Sequence, residues 1–321
     1  MRVVVTGAAG FIGSHVTDAL LAAGHEVIGI DNLSTGSLAF LKDAQGDPGF
    51  RLMTLDLLED REELAPTFRG AEAVIHLAAN ADVRFGWNSP DLDLKQNIIV
   101  THNVLEAART SGVGRVLFSS TGSVYGETSV IPTPEDCPFP VQTSLYGASK
   151  LAGEGLLAAY AEGCGMTTTV FRFVSILGPR YTHGHVVDFM RQLLSHPDRL
   201  TILGDGKQRK SYLHVADCVS AILLMLPRVG GHAVYNLGVE EYCTVDESAG
   251  WVCERLGVTP VVTYTGGDRG WVGDNPFIYL ATHKIRRAGW MPTHQIRESV
   301  EETVGYLLGN NWILSRPDAR R

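Results

Sequence analysis

TGAAGFIGSH, residues 6–15, directly follows the apolar run Val3-Val4-Val5, and two residues separate each of its three glycines from the next. This pattern is typical of the turn between the first strand and the first helix of a dinucleotide-binding fold. Gly7 permits the tight turn, Gly10 removes a side chain that would keep the backbone away from a pyrophosphate, and Gly13 lets the helix pack closely on the strand. The free N–H groups and the positive end of the helix dipole would then face the phosphates.

A carboxylate at the end of the second predicted strand favours NAD over NADP. This strand, residues 26–30, is followed at once by Asp31. The residue lies about 20 residues beyond the glycines, where the fold places an acidic group on the ribose hydroxyls. Because a carboxylate there repels a 2′-phosphate, we expect NAD to be the cofactor.

The composition predicts a globular protein with neither nucleic acid nor membrane as a partner. Of its 321 residues, 45% are hydrophobic and 19% are charged, and the net charge is -8. No basic cluster offers a nucleic-acid footprint, and no apolar run reaches the roughly 18 residues that a bilayer crossing needs. The five cysteines lack metal-ligand spacing, which favours reduced thiols, no metal site and a cytoplasmic location. The first strand begins at Arg2, so no signal peptide is expected before it.

Strand-like and helix-like segments alternate through the first half of the chain. The predicted strands are residues 2–6, 26–30, 51–54, 73–77, 115–119 and 168–173, and the predicted helices are residues 12–23, 60–67, 91–111 and 145–163. Such alternation predicts an α/β fold with a doubly wound parallel Rossmann sheet, whose ligands bind beyond the carboxyl ends of the strands. We expect residues 1–175 to form the NAD-binding domain, with a return segment at 211–245. Residues 176–210 and 246–321 would form a smaller, mixed substrate-binding domain.

Tyr146 and Lys150 form a Tyr-x-x-x-Lys pair near the start of the predicted helix 145–163. Residues four apart lie on one face of a helix. An ammonium beside a phenol favours the phenolate and lowers the tyrosine pKa towards a range useful for proton transfer. A buried ring beside a solvated amine gives the same spacing on an ordinary amphipathic helix.

Hydroxyl groups follow the strand at residues 115–119, in the run SSTGSVYG at residues 119–126. A hydroxyl close to a tyrosine phenol and a nicotinamide would bind the oxygen of an alcohol during its oxidation. Serine and threonine also cap loops without any catalytic role. The glycine turn, Asp31 and the Tyr146/Lys150 pair all fall on the same side of the predicted sheet, which favours catalysis.

Together these segments resemble the extended short-chain dehydrogenase/reductase superfamily, specifically its nucleotide-sugar epimerase/dehydratase branch. The similarity covers essentially the whole chain. Its markers are TGAAGFIGSH (6–15), DNLSTG (31–36), HLAA (76–79), SSTGSVYG (119–126), YGASK (146–150), RFVSILGPR (172–180), GDGKQRKSYLHVAD (204–217) and RGWVGDNP (269–276).

The resemblance implies a set of cofactor contacts in addition to Tyr146 and Lys150. The pyrophosphate would lie against the glycine turn, the adenosine ribose against the loop after Asp31, the adenine near Asp56, and the nicotinamide ribose beyond the HLAA strand. The implied residues are Gly7, Gly10, Phe11, Ile12, Gly13, Asp31, Asn32, Ser34, Gly36, Asp56, Leu57, Leu77, Ala78 and Ala79. Asn97 would hold a water or a helix kink, although an ordinary helical asparagine fits the sequence as well.

The resemblance also implies catalytic roles, and it narrows the reaction. Tyr146 would be the acid/base, Lys150 would bind the nicotinamide ribose and lower the tyrosine pKa, and Thr121 would orient the substrate oxygen. Relatives that eliminate water usually carry Asp-Glu directly after this threonine, whereas here Gly122 and Ser123 follow it. Neither residue shuttles a proton as a carboxylate does, which argues against a 4,6-dehydratase. What remains is oxidation at C4, rotation of the ketone and return of the hydride, that is, 4-epimerisation.

The substrate is expected to be a nucleotide sugar, with UDP-glucose and UDP-galactose as the default pair. The implied substrate contacts are Thr121, Ser175, His185, Lys210, Tyr212 and Arg269. Lys210 stands where relatives often have arginine, and lysine keeps the charge but loses the bidentate fork. Arg269 lies farther from the following Gly-Asp than the family's diphosphate-binding arginine usually does.

Other activities share the same catalytic residues. A nucleotide-sugar decarboxylase or a 4-keto reductase also uses threonine, tyrosine and lysine, and a non-catalytic NAD sensor is a third possibility that the intact Thr121, Tyr146 and Lys150 oppose. Relatives pair as homodimers through two helices, here 91–111 and 145–163, so a homodimer is expected.

Overall fold

The computed structural model describes residues 1–81, 83–84, 86–138 and 141–316. The strands are β1 (Arg2–Thr6), β2 (Glu26–Ile30), β3 (Phe50–Met53), β4 (Ala73–His76), β5 (Arg115–Thr121), β6 (Thr167–Phe173), β7 (Ser175–Leu177), β8 (Arg199–Ile202), β9 (Arg209–Lys210), β10 (Tyr212–His214), β11 (His232–Leu237), β12 (Cys243–Thr244), β13 (Val261–Tyr264) and β14 (Phe277–Ile278). The α-helices are α1 (Phe11–Ala22), α2 (Arg61–Phe68), α3 (Pro90–Asp93), α4 (Val100–Ser111), α5 (Leu145–Cys164), α6 (His185–Ser195), α7 (Val215–Met225), α8 (Val245–Leu256), α9 (His283–Arg287) and α10 (Ile296–Gly309).

A seven-stranded parallel sheet forms the centre of the fold, in the order β11-β6-β5-β4-β1-β2-β3. β1 lies between β2 and β4, so that Val3 pairs with Val27 on one side and with Ala73 on the other. The strand order reverses direction at β1, which is the arrangement of a doubly wound sheet with its ligand crevice at the carboxyl edge. The predicted α/β Rossmann class is therefore confirmed.

Both faces of this sheet are covered, which explains why its strands are almost continuously apolar. Val3 and Val5 belong to the core cluster that includes Val16 and Leu20 of α1. Val4 belongs to the opposite cluster, with residues of α2, α4 and α5. Successive side chains of a strand point to opposite faces, so a strand buried on both sides carries no polar alternation.

The helix predicted as one element over 91–111 is interrupted. α3 ends at Asp93, a π-helical turn covers Leu94–Ile99, and α4 begins at Val100. The side chain of the buried Asn97 lies in this turn and donates from Nδ2 to Ser149 Oγ at 2.9 Å and to Asn80 O at 3.2 Å. Thr101 Oγ1 donates to Asn97 O at 2.6 Å, which holds the widened turn in place. Apolar periodicity does not register one locally widened turn, and π-turns are frequent at functional sites.

The residues after β6 build smaller sheets and helices against the carboxyl edge of the main sheet. β7 pairs with β10, β8 pairs with β13, and β9 lies between β12 and β14. β11 returns to the main sheet beside β6. Within the residues that the structure describes, no helix has both the length and the apolar character to span a membrane.

Candidate active site

The glycine turn after β1 forms a cradle that side chains would fill. Gly7 has a φ of +70°, and a Cβ there would lie 2.8 Å from the backbone nitrogen of Ala78. A Cβ on Gly13 would lie 1.9 Å from the carbonyl oxygen of Gly7, so only glycine lets α1 approach the turn this closely. No described side chain caps the amino end of α1 at Gly10, so its N–H groups stay available to an anion. These features fit the pyrophosphate of a dinucleotide.

Asp31 lies directly beside this cradle, at the carboxyl end of β2. Its Oδ2 accepts from the backbone N–H of Ala9 at 2.9 Å, and its Oδ1 accepts from that of Leu33 at 2.8 Å. Burial raises the pKa of Asp31, and these two hydrogen bonds lower it. The carboxylate is thus held by the glycine loop itself, where a ribose would meet it.

The other residues expected at the adenosine end gather in the same region. Asn32 Nδ2 donates to Asp56 Oδ2 at 2.8 Å, and Ser34 Oγ donates to Asn32 Oδ1 at 2.7 Å. Gly36 is packed against Asp31, since a Cβ there would lie 2.8 Å from Asp31 Oδ1. Leu57 is buried, with its carbonyl oxygen accepting from Asn103.

The segment after β4 completes the path from the cradle to the catalytic residues. The amides of Leu77 and Ala78 both donate to Thr6 Oγ1, at 3.2 and 3.3 Å. The same Thr6 hydroxyl bonds to His76 Nδ1 at 2.7 Å. Burial, with the charge of Lys150 adding to it, lowers the pKa of His76 to about 3, so this ring is neutral. Leu77, Ala78 and Ala79 are half-buried beside Gly7.

Tyr146 and Lys150 lie one turn apart near the amino end of α5, which Ser144 caps by accepting from Gly147 N. Lys150 is 2% exposed, and its Nζ donates to the carbonyl oxygen of Ser119 at 2.9 Å. The alternative interpretation, in which Lys150 is a solvated amine on an ordinary amphipathic helix, is therefore excluded. Thr121 ends β5, and its hydroxyl accepts from Ser123 N at 3.1 Å.

The pKa values of this pair differ from the sequence-based expectation. Burial, and then the charge of Asp93, raise the pKa of Tyr146, while a hydrogen bond with Thr121 lowers it. These influences together raise the pKa of Tyr146, whereas the Tyr-x-x-x-Lys spacing predicted that Lys150 would lower it. Burial lowers the pKa of Lys150 to about 7, against the opposing charges of Asp93 and Glu154.

Asp93 is a buried carboxyl that sequence reasoning missed. It is 1% exposed, and its Oδ1 accepts from Asn80 Nδ2 at 2.8 Å and from Asn97 Nδ2 at 3.1 Å. Its Oδ2 is buried, with no hydrogen-bond partner among the described residues. Through Asn97 and Ser149, Asp93 is connected to the catalytic helix α5.

A second buried network, also missed, lies behind Thr121. The carboxylate of Glu154 and the guanidinium of Arg172 meet at 2.7 Å with both side chains nearly inaccessible. Arg172 Nη1 donates to Tyr125 Oη at 2.7 Å, and Tyr125 Oη donates to Asn236 Oδ1 at 2.8 Å. Ser120 Oγ donates to Glu154. These bonds join α5, β5, β6 and β11 at the carboxyl edge of the sheet.

A cavity of about 580 Å³, called here the main cavity, opens at this edge. Its volume lies in the range of small-molecule sites. The residues that line it include, among those expected from the sequence, Phe11, Ile12, Thr121, Tyr146, Ser175, His185, Lys210 and Tyr212. The predicted catalytic residues and the predicted nucleotide contacts among them therefore line one continuous space.

Lys210 lies in the wall of the main cavity in a buried ion pair. Its Nζ donates to Asp274 Oδ1 at 2.7 Å and also to the carbonyl oxygen of Asn275. Burial lowers the pKa of Lys210, and Asp274 opposes that shift. The indole of Trp271 lies close by, with the lysine nitrogen 5.9 Å from the ring centroid.

His185 is a neutral, packed ring rather than a mobile cation. Its Nε2 lies 2.8 Å from Ser248 Oγ, and its ring stacks on Tyr212 at a centroid distance of 4.7 Å. Burial, with Lys210 adding to it, lowers the pKa of His185 to about 3. One of its nitrogens is therefore already engaged.

Arg84 lines the main cavity and was not predicted from the sequence as a site residue. Its Nη1 lies 2.6 Å from Asp188 Oδ2 of α6. Ser175 is exposed at the start of β7 and lines the same cavity.

The structure does not bring Arg269 into the main cavity. Its guanidinium forms a bidentate pair with Glu127, in which Nη2 donates to Oε2 at 3.0 Å. Both side chains are more than one-third exposed. Among the described residues, no cluster of His, Cys, Asp or Glu is arranged to hold a metal ion.

Comparison with known proteins agrees with this site. The family model of the NAD dependent epimerase/dehydratase family matches residues 3–238. The UDP-glucose 4-epimerase of Mycolicibacterium smegmatis is 32% identical over 312 residues, which cover 95% of this chain and 98% of that protein. A crystal structure of UDP-galactose 4-epimerase is 37% identical with a TM-score of 0.86 and covers 97% of this chain and 100% of its own. UDP-glucuronic acid 4-epimerase from Bacillus cereus, in complex with UDP-glucuronic acid and NAD, is 27% identical with a TM-score of 0.89 and the same coverage.

The fold and the site define a dinucleotide-binding protein with a tyrosine–lysine pair at the mouth of a Rossmann sheet. The chain belongs to the NAD-dependent epimerase/dehydratase family. The resemblance seen in the sequence is thereby confirmed, and the cofactor of the family is NAD. The cradle at Gly7 and Gly13, with Asp31 beside it, fits that cofactor.

Proposed function

We propose that this protein is an NAD-dependent nucleotide-sugar 4-epimerase of the UDP-glucose/UDP-galactose type. One observation carries the proposal: Thr121, Tyr146 and Lys210 all line the main cavity. Gly122 and Ser123 stand where relatives that eliminate water usually have a carboxylate pair. The site therefore offers an acid/base for an alcohol and a cation for a phosphate, without a carboxylate pair directly after Thr121.

Three side chains of the protein would take part in transfer of the proton of the C4 hydroxyl group. Tyr146 takes the hydroxyl proton and later returns it, while Thr121 orients the sugar oxygen. Lys150, whose Nζ donates to Ser119 O, would stabilise the phenolate when it is protonated. NAD, held at the glycine turn and Asp31, would supply a hydride acceptor and donor for C4. No net oxidation results, because the two transfers cancel.

The remaining residues are proposed to grip the nucleotide while the sugar turns. Lys210 would bind the diphosphate, and Ser175, His185 and Tyr212 would line the path between the phosphate and Tyr146. Residues 1–175, with 211–245, would serve the cofactor, and residues 176–210 and 246–321 the nucleotide. A lysine whose side chain is only 13% exposed gives a stronger contact to phosphate than a solvated one.

The reaction is tested by ¹H NMR on purified protein loaded with NAD. UDP-, GDP-, CDP- and dTDP-hexoses, together with UDP-glucuronate, are incubated separately and followed for inversion at C4. We expect UDP-glucose and UDP-galactose to interconvert to the same equilibrium mixture from either side, with Tyr146→Phe as the inactive control. Loss of carbon dioxide from UDP-glucuronate, or consumption of a 4-keto sugar only when NADH is supplied, would assign the alternative activities instead.

We also propose a homodimer that packs through α5. The outward positions 155, 159 and 163 are Gly, Ala and Gly, and a Cβ on Gly155 or Gly163 would contact nothing within 4 Å. Small side chains let two helices approach closely. Light scattering after gel filtration should give twice the chain mass, and Gly155→Glu should give the monomer.

A cytoplasmic location is proposed from the cysteines. Cys137, Cys218 and Cys243 are buried and free, and the other two cysteines are also unpaired. Free thiols of this kind are usual in reducing compartments. Fractionation of cells that express the protein would test it.

A further inference from the structure

Residues 269–275 form one wall of the main cavity and are called here the 269–275 wall. Gly270, Trp271, Gly273, Asp274 and Asn275 all line the cavity. The wall is folded on itself, because Asp274 Oδ2 accepts from Gly270 N at 3.0 Å and Asp274 N donates to Trp271 O at 3.0 Å.

The wall determines the position of Lys210, the residue proposed to bind the phosphate. Lys210 is held by Asp274 Oδ1 at 2.7 Å and by the carbonyl oxygen of Asn275, both of which belong to the wall. Among the residues that the structure describes, the buried indole nitrogen of Trp271 has no hydrogen-bond partner. A movement of the wall would break the contacts that hold Lys210 and displace this indole nitrogen.

Three contacts attach the wall to segments that also carry the catalytic residues. Arg269 pairs with Glu127 in bidentate fashion, and Asn275 Nδ2 donates to the carbonyl oxygen of Gly126. Gly273 lies against the turn before α5, since a Cβ there would be 2.7 Å from the carbonyl oxygen of Thr143. Residues 126–127 follow the loop that begins at Thr121, and residue 143 precedes Tyr146 by three positions.

Arg269, the first residue of the wall, contacts both Glu127 outside the wall and Asp274 near the other end of the wall. Its Nη1 reaches Glu127 and also donates to the carbonyl oxygen of Asp274 at 3.2 Å. It does so from outside the cavity, with 38% of its side chain exposed. Its charge is already matched by a carboxylate that does not line the cavity.

We propose that the Arg269–Glu127 pair is a latch that holds the 269–275 wall closed on the nucleotide, so that Arg269 is a positioning residue and not a ligand of the diphosphate. The proposal rests on the function proposed above. A ligand that needs the closed wall binds with an apparent affinity reduced by the fraction of molecules whose wall is open. Since an exposed ion pair contributes little, we expect loss of the latch to weaken UDP binding about two- to fivefold.

A latch role and a diphosphate-binding role of Arg269 predict opposite effects of Glu127→Ala on the affinity for UDP. UDP affinity is measured by isothermal titration calorimetry on NAD-loaded protein for Glu127→Ala, for Arg269→Ala and for the charge swap Glu127→Arg/Arg269→Glu. A latch predicts weaker binding in both single variants, at least as weak in Arg269→Ala, and recovery in the swap. A direct diphosphate contact predicts a loss of about ten- to a hundredfold at Arg269, unchanged or tighter binding in Glu127→Ala, and the weakest binding of all in the swap. That second pattern overturns the latch.

Asp198→Ala, which removes an exposed carboxylate from the turn before β8, is the matched control and should leave UDP binding unchanged. For the variants that turn over UDP-glucose, KM should rise while kcat stays within about twofold, because Tyr146 and Thr121 are untouched.

Hydrogen exchange tests the latch without any ligand. Amides of residues 270–275 should exchange faster in Glu127→Ala and in Arg269→Ala, and return to the wild-type rate in the swap. If the wild-type protein binds no UDP, the proposed function fails while the exchange experiment still decides the latch. Unchanged exchange in both single variants would refute the latch whatever the substrate is.

Discussion

Replacing Lys210 by methionine tests whether Lys210 binds the diphosphate of the proposed substrate. Lys210 lines the main cavity, and its place in the sequence pattern predicts a contact to the diphosphate. Methionine keeps most of the length of the side chain and removes its charge. One charge-assisted hydrogen bond to phosphate contributes about 1.5–3 kcal/mol, so UDP binding should weaken by at most about ten- to a hundredfold, because Asp274 competes for the lysine. The contact is the same in the ground and transition states, so kcat should fall much less than kcat/KM.

The structure shows why Lys210→Met alone does not isolate the contribution of the lysine to UDP binding. Lys210 is bonded to Asp274, and the two side chains are 13% and 4% exposed. Lys210→Met therefore leaves a buried carboxylate without its cation, which costs about 3–5 kcal/mol of folding free energy. A loss of UDP binding could then reflect a disturbed wall instead of a lost phosphate contact.

The comparison that avoids this cost is between the wild type and the double variant Lys210→Met/Asp274→Asn. Neither protein contains an unpaired buried charge at this place, so the ratio of their UDP dissociation constants reports the loss of the ion pair without a buried charge left behind. Lys207→Met, on the exposed turn just before, controls for loss of a surface charge. Calorimetry on NAD-loaded protein gives the constants, and urea unfolding confirms that the two proteins are equally folded. Equal UDP affinity in the two proteins would show that the nucleotide is not bound at Lys210.

Three further predictions follow from the site. Tyr146→Phe should abolish turnover while NAD stays bound, because it removes one proton carrier and little packing; activity within a few-fold of wild type would remove Tyr146 from the mechanism. Stripped protein titrated with each cofactor should bind NAD more tightly than NADP, because Asp31 would repel a 2′-phosphate, and the reverse order would contradict that role. Glu154→Gln should lower the free energy of unfolding in urea by about 3–5 kcal/mol, because it removes the buried carboxylate that neutralises Arg172, and a loss under about 1 kcal/mol would contradict it.

The main sheet could be predicted closely because its strands are buried on both faces. β1 and β2 have the predicted bounds, and β6 begins one residue before its predicted start. Parallel strands place their carboxyl ends at one edge, so Asp31, Thr121 and the turn at Gly7 were expected to lie together there. These positions depend on local pattern and on a general rule of topology, and a single sequence contains both.

The buried polar residues could not be predicted because nothing local distinguishes them from surface residues. Glu154 stands in an ordinary helical sequence, and its partner Arg172 is 18 residues away on another element. Tyr125 and Asn236 meet across 111 residues. The same holds for Asp93, whose burial depends on the widened turn at Asn97. Because Asp93 and burial both act on Tyr146, the sign of its pKa shift also depended on residues that the spacing does not indicate.

The charge balance of the main cavity limits what an anion gains by entering it. Its cations are already paired, Lys210 with Asp274 at 2.7 Å and Arg84 with Asp188 at 2.6 Å. A phosphate that takes a hydrogen bond from Lys210 competes with a carboxylate for it, so the net gain is the difference between two charged contacts. A ligand that also offers a hydroxyl to the released Asp274 recovers what the lysine gives up. We therefore expect the cavity to bind a phosphate attached to a hydroxyl-bearing group more tightly than a bare inorganic anion, on a protein whose net charge is -8.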